Sequence, residues 1–191
     1  EHGPVETYYE SGQRKQTATY KDGVLTDSIA SQPATPAPDT KWTYYKNGRF
    51  GFKVSYPTCM FKPGPEPENS DGLVFTSEDG RASFTAYGSH NALDFTPQTY
   101  SDWSKRDTDT VTYERVKQNW IVLSGYRGDM VFYKKTIFSC GNQIMNTVYW
   151  VYPTEQKHLY DPIVGPMTKS LVPGAGWGTP DDCKGRGVTQ D

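Results

Sequence analysis

Three histidines are the side chains of this sequence best suited to acid–base chemistry near neutral pH: His2, His90 and His158. A hydrolase would need a nucleophile with such a base within hydrogen-bond reach. Ser89 stands directly before His90, but neighbouring side chains of an extended chain point apart, and the sequence has no Gly-x-Ser-x-Gly nucleophile elbow. We therefore expect His90 to be a hydrogen-bonding loop residue and His158 to lie on a helix surface. The sequence predicts no catalytic residue and a protein that is not an enzyme.

Residue spacing predicts neither a metal site nor a phosphate-binding loop. The acids Glu66, Glu68 and Asp71 lack the ordered oxygen-ligand spacing of a calcium loop. Alternate glycines run from Gly174 to Gly178, but no strand-to-helix context surrounds them and no Lys-Ser/Thr pair follows. We expect no metal ion and no cofactor.

The charge balance argues against a nucleic-acid partner. The 191 residues include 20 Lys and Arg against 22 Asp and Glu, a net charge of −2, and no window reads as strongly basic. Binding to a phosphate backbone needs a concentrated basic surface.

No apolar run approaches the roughly 18 residues that cross a bilayer. The chain begins Glu1-His2-Gly3-Pro4 without an initiator Met, so we expect that a targeting segment has been removed.

Aromatic side chains are abundant, and six Tyr and Trp lie within residues 8–45. The chain has 14 Tyr and 5 Trp although only 35% of its residues are hydrophobic, a mixture that favours sheets and amphipathic contact surfaces. Tyr and Trp often anchor protein interfaces. The sequence predicts a partner-binding face made of Tyr8, Tyr9, Tyr20, Trp42, Tyr44 and Tyr45. The alternative is that these aromatics attach an N-terminal hairpin to the rest of the protein.

A proline-rich stretch divides the chain. Residues 31–40, SQPATPAPDT, contain three prolines and no large apolar side chain, which is typical of a semi-extended linker. Residues 1–30 combine short Tyr-containing runs with Ser-Gly and Asp-Gly turn signals, which predicts a segment of one or two small β-hairpins. A larger domain is predicted over residues 41–172, followed by a Gly-rich tail over residues 173–191.

The larger domain has the pattern of an antiparallel sheet. Alternating apolar residues and short turns predict strands at 49–56, 73–76, 81–87, 111–116, 120–126, 130–140 and 143–152. The fold class expected is therefore α+β, an antiparallel sheet with helices on one face plus the N-terminal β-hairpin.

Two helices are predicted in the same domain. The first follows the cap Thr96, places Tyr100 and Trp103 on one face and ends near residue 107. Thr154 is expected to cap the second helix, which should be kinked or restarted at Pro162. The apolar stripe of this second helix comprises Leu159, Ile163, Val164, Met167 and Leu171.

Three cysteines, Cys59, Cys140 and Cys183, include no CxxC pair, which argues against a zinc ribbon or thioredoxin-like chemistry. Cys140 lies at the turn of the last predicted hairpin. The final helix of about 17 residues, near 25 Å long at 1.5 Å per residue, runs back towards that turn. Cys183 can therefore reach Cys140, and a disulfide between them would place the protein in an oxidising compartment. Three reduced thiols are the alternative.

Two parts of the sequence resemble known families. Residues 43–172 are similar to small bacterial secreted or lipoprotein domains of PsbP-like α/β/α type, through the segments YYKNGRFGFKVSYP, DGLVFTSEDG, NALDFTP and YDPIVGPMTKSL. Residues 7–25 resemble the variant MORN repeat, which has a Tyr pair, a turn Gly and then Tyr-x-Asp-Gly. Similar Tyr and Gly spacing recurs at residues 43–56, but the alternate residues there are apolar and must face a core. The two segments therefore share turn chemistry and not a role.

These resemblances imply a function. Proteins with variant MORN repeats are often antitoxin or immunity components of bacterial toxin systems, and the PsbP-like similarity implies a periplasmic location. We expect a non-enzymatic immunity protein that occludes a toxic secreted effector, with a phospholipase-type effector of type VI secretion as one candidate partner. Acidic residues over 63–79 could steer a basic partner, and the uncut precursor could carry a lipid anchor. The alternatives are a structural or accessory envelope protein and a hydrolase with a non-standard site.

Overall fold

The computed structural model describes residues 3–8, 14–21, 24–30, 41–106 and 109–174. The first three ranges are strands β1 (Gly3–Tyr8), β2 (Arg14–Lys21) and β3 (Val24–Ala30), which pair antiparallel in the order β1-β2-β3. The N-terminal segment is thus a small separate sheet of two successive hairpins, which agrees with the prediction of one or two.

Seven strands form the main antiparallel sheet, in the order β6-β7-β8-β12-β11-β10-β9. Their bounds are Lys62–Pro63 (β6), Gly72–Thr76 (β7), Ser83–His90 (β8), Thr110–Val116 (β9), Trp120–Arg127 (β10), Met130–Ser139 (β11) and Ile144–Pro153 (β12). The last four agree with the predicted strands to within a residue at each end. Short turns and sustained apolar content specify such a meander well, and the antiparallel α+β class is confirmed.

A two-stranded hairpin, β4 (Trp42–Lys46) and β5 (Lys53–Pro57), packs beside the main sheet. The strand predicted at 49–56 begins later than expected, because a turn occupies its first residues. The buried side chain of Asn47 holds this turn: its Oδ1 accepts from Phe50 N at 2.6 Å, and its Nδ2 donates to Ser70 O at 2.9 Å. The predicted alternation still holds, since Phe50, Phe52 and Val54 are all buried.

One large aromatic core lies between the main sheet, the β4–β5 hairpin and the last helix. Phe84 stacks on Phe75 with ring centroids 4.3 Å apart and lies 5.0 Å from Trp150. Phe61 contacts Phe84 and Trp150 edge to face at 5.2 and 5.3 Å. Rings in these geometries contribute more than their buried area alone.

The two helices, α1 (Pro97–Ser104) and α2 (Lys157–Lys169), cover opposite faces of the main sheet. Helix α1 packs on β9 and β10, where Tyr100 is buried with Ile121 and Leu123. Helix α2 packs on β11 and β12, where Ile163 shares a cluster with Val122. Successive residues of a strand point to opposite faces. The expectation that both helices lie on one face is therefore corrected, and the layering is the α/β/α arrangement that the PsbP-like resemblance implies.

Helix α1 begins as predicted. Thr96 Oγ1 accepts from Thr99 N at 3.2 Å, while Thr99 Oγ1 accepts from Thr96 N at 2.9 Å, so the two form a reciprocal capping box. The helix ends at Ser104, a turn before the predicted end. Tyr100 is buried whereas Trp103 is 63% exposed, so only the first of the two residues predicted to share a face joins the core.

Helix α2 begins later than the sequence predicts. A single 3-10 turn (Thr154–Gln156) follows β12, and α2 starts at Lys157 with no side-chain hydrogen bond from its N-cap residue. The prediction that Thr154 caps this helix is wrong, because Thr154 is the first residue of that separate turn. The helix continues through Pro162 without a restart. Leu159 is exposed, and the buried members of the predicted stripe are Ile163, Val164, Met167 and Leu171.

Among the described residues, neither helix has the length and apolar character needed to cross a membrane.

The C-terminal end of the domain is tied to the β4–β5 hairpin. Lys53 N donates to Val172 O and Val172 N donates to Lys53 O, both at 2.9 Å. Ser55 N donates to Ser170 Oγ at 2.9 Å. Gly174, the second residue of the predicted tail, lies against the backbone of residues 50–52. The hairpin is thus held by hydrogen bonds from the last residues of the domain, two of them between backbone atoms.

An ion pair joins α1 to the edge strand β9. Glu114 Oε1 accepts from Lys105 Nζ at 2.8 Å and from Ser101 Oγ at 2.7 Å. The hydrogen bond from Lys105 lowers the pKa of Glu114 below its ordinary value. Burial opposes this shift, and a weaker effect of the hydrogen bond from Ser101 adds to it. A carboxyl with a lowered pKa stabilises the fold at pH values above its unfolded pKa, and this contribution is lost as the pH falls through the folded pKa.

Glu114→Gln is therefore expected to lower the free energy of unfolding by about 0.5 kcal/mol at pH 7. The difference from the wild type should vanish in acid, below the lowered pKa, because the wild-type carboxyl is then neutral too. Urea titrations at neutral and acid pH measure this difference. Glu78→Gln is the matched control, since Glu78 is almost fully exposed and lies 3.7 Å from Lys62. A difference for Glu114→Gln of the same size at both pH values would contradict the prediction.

Candidate protein-binding face

The residues of the predicted partner face lie in two parts of the chain. Tyr8 belongs to β1 and Tyr20 to β2, and Tyr9 lies outside the described residues. Trp42, Tyr44 and Tyr45 all belong to β4. The side-chain geometry of the face can therefore be followed at β4.

Two of the three β4 aromatics attach the hairpin to the domain. Tyr45 meets Phe52 and Phe75 edge to face at 5.8 and 5.5 Å, and its hydroxyl accepts from Asn47 Nδ2 at 3.0 Å. Burial raises the pKa of Tyr45 above its ordinary value, partly opposed by the hydrogen bond from Asn47. Trp42 is half-buried and packs against the same core. These contacts favour, for Tyr45 and Trp42, the alternative that they hold the hairpin in place.

Tyr44 alone among these three projects into solvent. Its side chain is 61% exposed, and Lys53 Nζ lies 5.1 Å from its ring centroid, within range of a cation–π contact. The strand beneath it is fixed by pairing with β5, which in turn is bonded to Val172. The result is a large exposed aromatic on a firmly held strand.

The hairpin also carries a concentration of positive charge that the net charge conceals. Residues 41–65 contain five basic residues and no acid: Lys41, Lys46, Arg49, Lys53 and Lys62. Arg49 pairs with Asp71 at 2.5 Å, and Lys62 lies 3.7 Å from Glu78. The other three, Lys41, Lys46 and Lys53, are exposed and form no ion pair within the described chain. The expectation that no window is strongly basic is corrected here, because a charge count over residues 41–65 reveals this patch from the sequence.

The acids of residues 63–79 are largely engaged locally. Asp71 and Glu78 face the basic side chains just named, and Asp79 accepts from Ser77 Oγ at 2.6 Å and from Gln156 Nε2 at 2.8 Å. Hydrogen bonds from Ser77, Gln156 and the Arg81 backbone lower the pKa of Asp79 to about 2. Glu66 and Glu68 stay exposed. Local pairing weakens the field that this segment could present to a basic partner.

Neither of the two described histidines forms a hydrogen bond with a Ser, Thr or Cys side chain. The exposed ring of His90 lies 5.3 Å from the Phe50 ring, at the end of β8. His158 is exposed, and its Nδ1 lies 3.1 Å from the carbonyl oxygen of Glu155. Within the ranges that the structure describes, no three His, Cys, Asp or Glu side chains are grouped so as to hold a metal ion.

A small cleft lies between the sheet and the last turn of α2. Trp120, Lys135, Thr168 and Lys169 are among its lining residues. Lys135 Nζ donates to Thr168 O at 2.9 Å. Burial, and then the charge of Lys169, lower the pKa of Lys135. A cation on a carbonyl at a helix C-terminus stabilises the helix dipole, so Lys135 has a structural role.

The two described cysteines differ in state. Cys59 is an exposed free thiol. Cys140 is engaged in an interaction and is not a free thiol. Cys183 lies outside the described residues, so the pairing of Cys140 with Cys183 stays a prediction.

No protein-family model and no curated protein sequence matches this chain. Among solved structures, the chain is similar to the solution structure of the cyanobacterial PsbP protein CyanoP from Synechocystis, with a TM-score of 0.50 and 12% sequence identity. The similarity covers 74% of this chain and 99% of that chain. At this identity the comparison shows the fold alone. The larger domain has a PsbP-like fold, and the variant MORN resemblance of residues 7–25 stays a prediction.

Proposed function

We propose that this protein is a non-enzymatic binding protein of the bacterial periplasm that neutralises a toxic secreted effector by occluding it. The observation that carries the proposal is the exposed Tyr44 side chain on a firmly held strand. Exposed aromatic anchors on rigid supports bind at low entropic cost, because little has to be ordered on association. The proposal makes the β4–β5 hairpin a central part of the contact face.

The class of partner rests on the sequence. The variant MORN resemblance of residues 7–25 favours an immunity role, and it keeps the phospholipase-type effectors of type VI secretion as the first candidates. A disulfide between Cys140 and Cys183 would suit an oxidising periplasm. On this proposal Tyr8, Tyr9 and Tyr20 belong to the same contact face as Tyr44.

A second candidate is an accessory protein of the cell envelope. The fold similarity to CyanoP, which spans nearly the whole of that protein, supports this alternative. The two candidates differ in their partner: an immunity protein retains one secreted enzyme, whereas an accessory protein associates with a resident envelope complex.

Affinity capture from the secreted and envelope proteins of the source bacterium tests the proposal. Three forms are compared: the intact chain, a chain beginning at Lys41, and Tyr44→Ala. The proposal requires that the intact chain retains one secreted enzyme and that this enzyme loses its toxic activity when bound. Retention of an envelope complex instead, or of no secreted protein, would overturn the immunity role.

Tyr44→Ala is expected to weaken the affinity for the retained effector by about 30-fold, the size of a hot-spot truncation near 2 kcal/mol. Titration calorimetry measures this affinity. Trp103→Ala is the matched control, because Trp103 is equally exposed on the far face of the sheet. Equal losses for both variants would show that β4 is not the contact strand.

A further inference from the structure

Strand β4 is an edge strand with one side unpaired. It pairs with β5 on one side, and no described strand pairs with its other side. The β4 residues also make no further hydrogen bond beyond the interactions already given. An edge of this kind presents a row of N–H and C=O groups to which another extended chain can bond.

The charges around this edge select what can bind there. Lys46 pairs with Lys53 across the hairpin, so both lie on the face of the strand that carries Tyr44, and Lys41 lies immediately before β4. These lysines have no carboxylate partner in the described parts of the chain. Facing lysines raise the electrostatic cost of a basic strand and lower that of an acidic one.

The same lysines oppose self-association. Pairing of β4 with β4 of a second copy would bring two sets of lysines together, and like charges placed opposite each other in a sheet are destabilising. Edge lysines are a common protection against edge-to-edge pairing. A strand with acidic residues does not suffer this repulsion. The same lysines therefore disfavour pairing with a second copy and favour pairing with an acidic partner.

We propose that β4 binds an extended acidic segment of the partner protein by strand addition, an inference that rests on the proposed function and specifies its chemistry. The added segment forms main-chain hydrogen bonds along Trp42–Lys46. On the face that carries Tyr44 and Lys46, its side chains are carboxylates that meet Lys46 and Lys53, and the alternate side chains on its other face are apolar. Main-chain bonds supply affinity, and these alternate side chains supply specificity.

The test uses the full chain and two short capped peptides, one alternating Glu with Val and the other alternating Lys with Val. Amide hydrogen exchange, read by NMR, reports which backbone groups become protected. The Glu-Val peptide is expected to slow exchange of amides within Trp42–Lys46, with an affinity that falls as salt is added. The Lys-Val peptide should leave these amides unchanged.

Charge reversal of the lysines beside β4 is the second part of the test. Lys46→Glu with Lys53→Glu is expected to weaken Glu-Val binding by about tenfold or more, each tenfold being 1.4 kcal/mol. The matched control reverses Arg106 and Lys117, two exposed basic residues just after α1 and after β9, away from the hairpin. Unchanged β4 exchange at saturating Glu-Val peptide, or equal binding of both peptides, would overturn the inference.

The inference and the proposed function fail separately. If an effector is captured equally well by the wild type and by Lys46→Glu with Lys53→Glu, strand addition is wrong and the immunity role stands. If the Glu-Val peptide protects β4 and no secreted effector is captured, the immunity role is wrong and the acidic-strand site stands.

Discussion

Phe84→Ala is expected to lower the free energy of unfolding by about 3–5 kcal/mol, the range observed for large aromatic truncations in cores. Phe84 has no exposed surface and is ringed by other aromatics, with Phe75 stacked at 4.3 Å, Trp150 at 5.0 Å and Phe61 at 5.2 Å. With Tyr56 at 5.9 Å, four rings lose a contact at once. Rigid rings close poorly over the resulting cavity, so little of the loss is recovered.

Urea unfolding followed by circular dichroism measures this loss. The midpoint should fall while the slope of the free energy against urea stays the same, because the surface exposed on unfolding is nearly unchanged. Tyr44→Ala is the control, since truncation of a mostly exposed ring should change stability by no more than about 0.5 kcal/mol. A loss below about 1 kcal/mol for Phe84→Ala would mean that the core rearranges around the missing ring.

Gly174→Ala is expected to lower the free energy of unfolding by about 1–3 kcal/mol, the usual cost of overpacking. A Cβ at this position would overlap the Phe50 carbonyl oxygen and lie 2.5 Å from the Phe52 nitrogen. Both are backbone atoms, which cannot rotate away as a side chain can. The C-terminal segment must therefore move off the β4–β5 hairpin, which weakens the paired hydrogen bonds between Lys53 and Val172.

Two measurements check this prediction. Urea unfolding gives the loss of stability, and amide exchange at Lys53 and Val172 should become faster than in the wild type. The matched control is Gly48→Ala, because a Cβ at Gly48 would meet nothing within 4 Å. This control should be neutral or stabilising by about 0.4–1 kcal/mol, since Ala restricts the unfolded chain. Similar effects at both glycines would contradict the packing argument.

The sheet could be predicted from the sequence because its signals are local. Each of the strands β9 to β12 is bounded by a short turn, and α1 carries its own cap in Thr96 and Thr99. The first residue of α2 was harder to predict. Thr154 can either cap a helix or begin a 3-10 turn, and the packing of the following residues decides between the two. Local sequence patterns therefore predicted the presence of each strand and helix better than they predicted its first and last residues.

The placement of helices on both faces had a signal in the sequence. Residues 121–123 of β10 are an uninterrupted apolar run, and all three are buried. A strand buried on both faces has such a run, whereas a strand with one face in water alternates. Reading Ile121, Val122 and Leu123 in this way would have predicted one helix on each side.

The binding face was only partly predictable. Aromatic content pointed to β4, but which of Trp42, Tyr44 and Tyr45 meets solvent depends on where the main sheet lies, which no local pattern encodes. The lysines around β4 were hidden by a nearly balanced net charge. The structure shows that these lysines belong to the binding face, because the pairing of Lys46 with Lys53 places both beside Tyr44.

The bonds between β5 and the end of the domain have a consequence for the order of assembly. Ser55 and Ser170 are bonded across 115 positions of sequence, and Lys53 is bonded to Val172. Contacts of such separation form late, because the intervening chain must first be closed into a loop. A chain delivered N-terminus first exposes β4 and β5 long before Val172 emerges. The edge strand and Tyr44 therefore acquire their final setting only when synthesis of the domain is complete, so an unfinished chain cannot present the binding face.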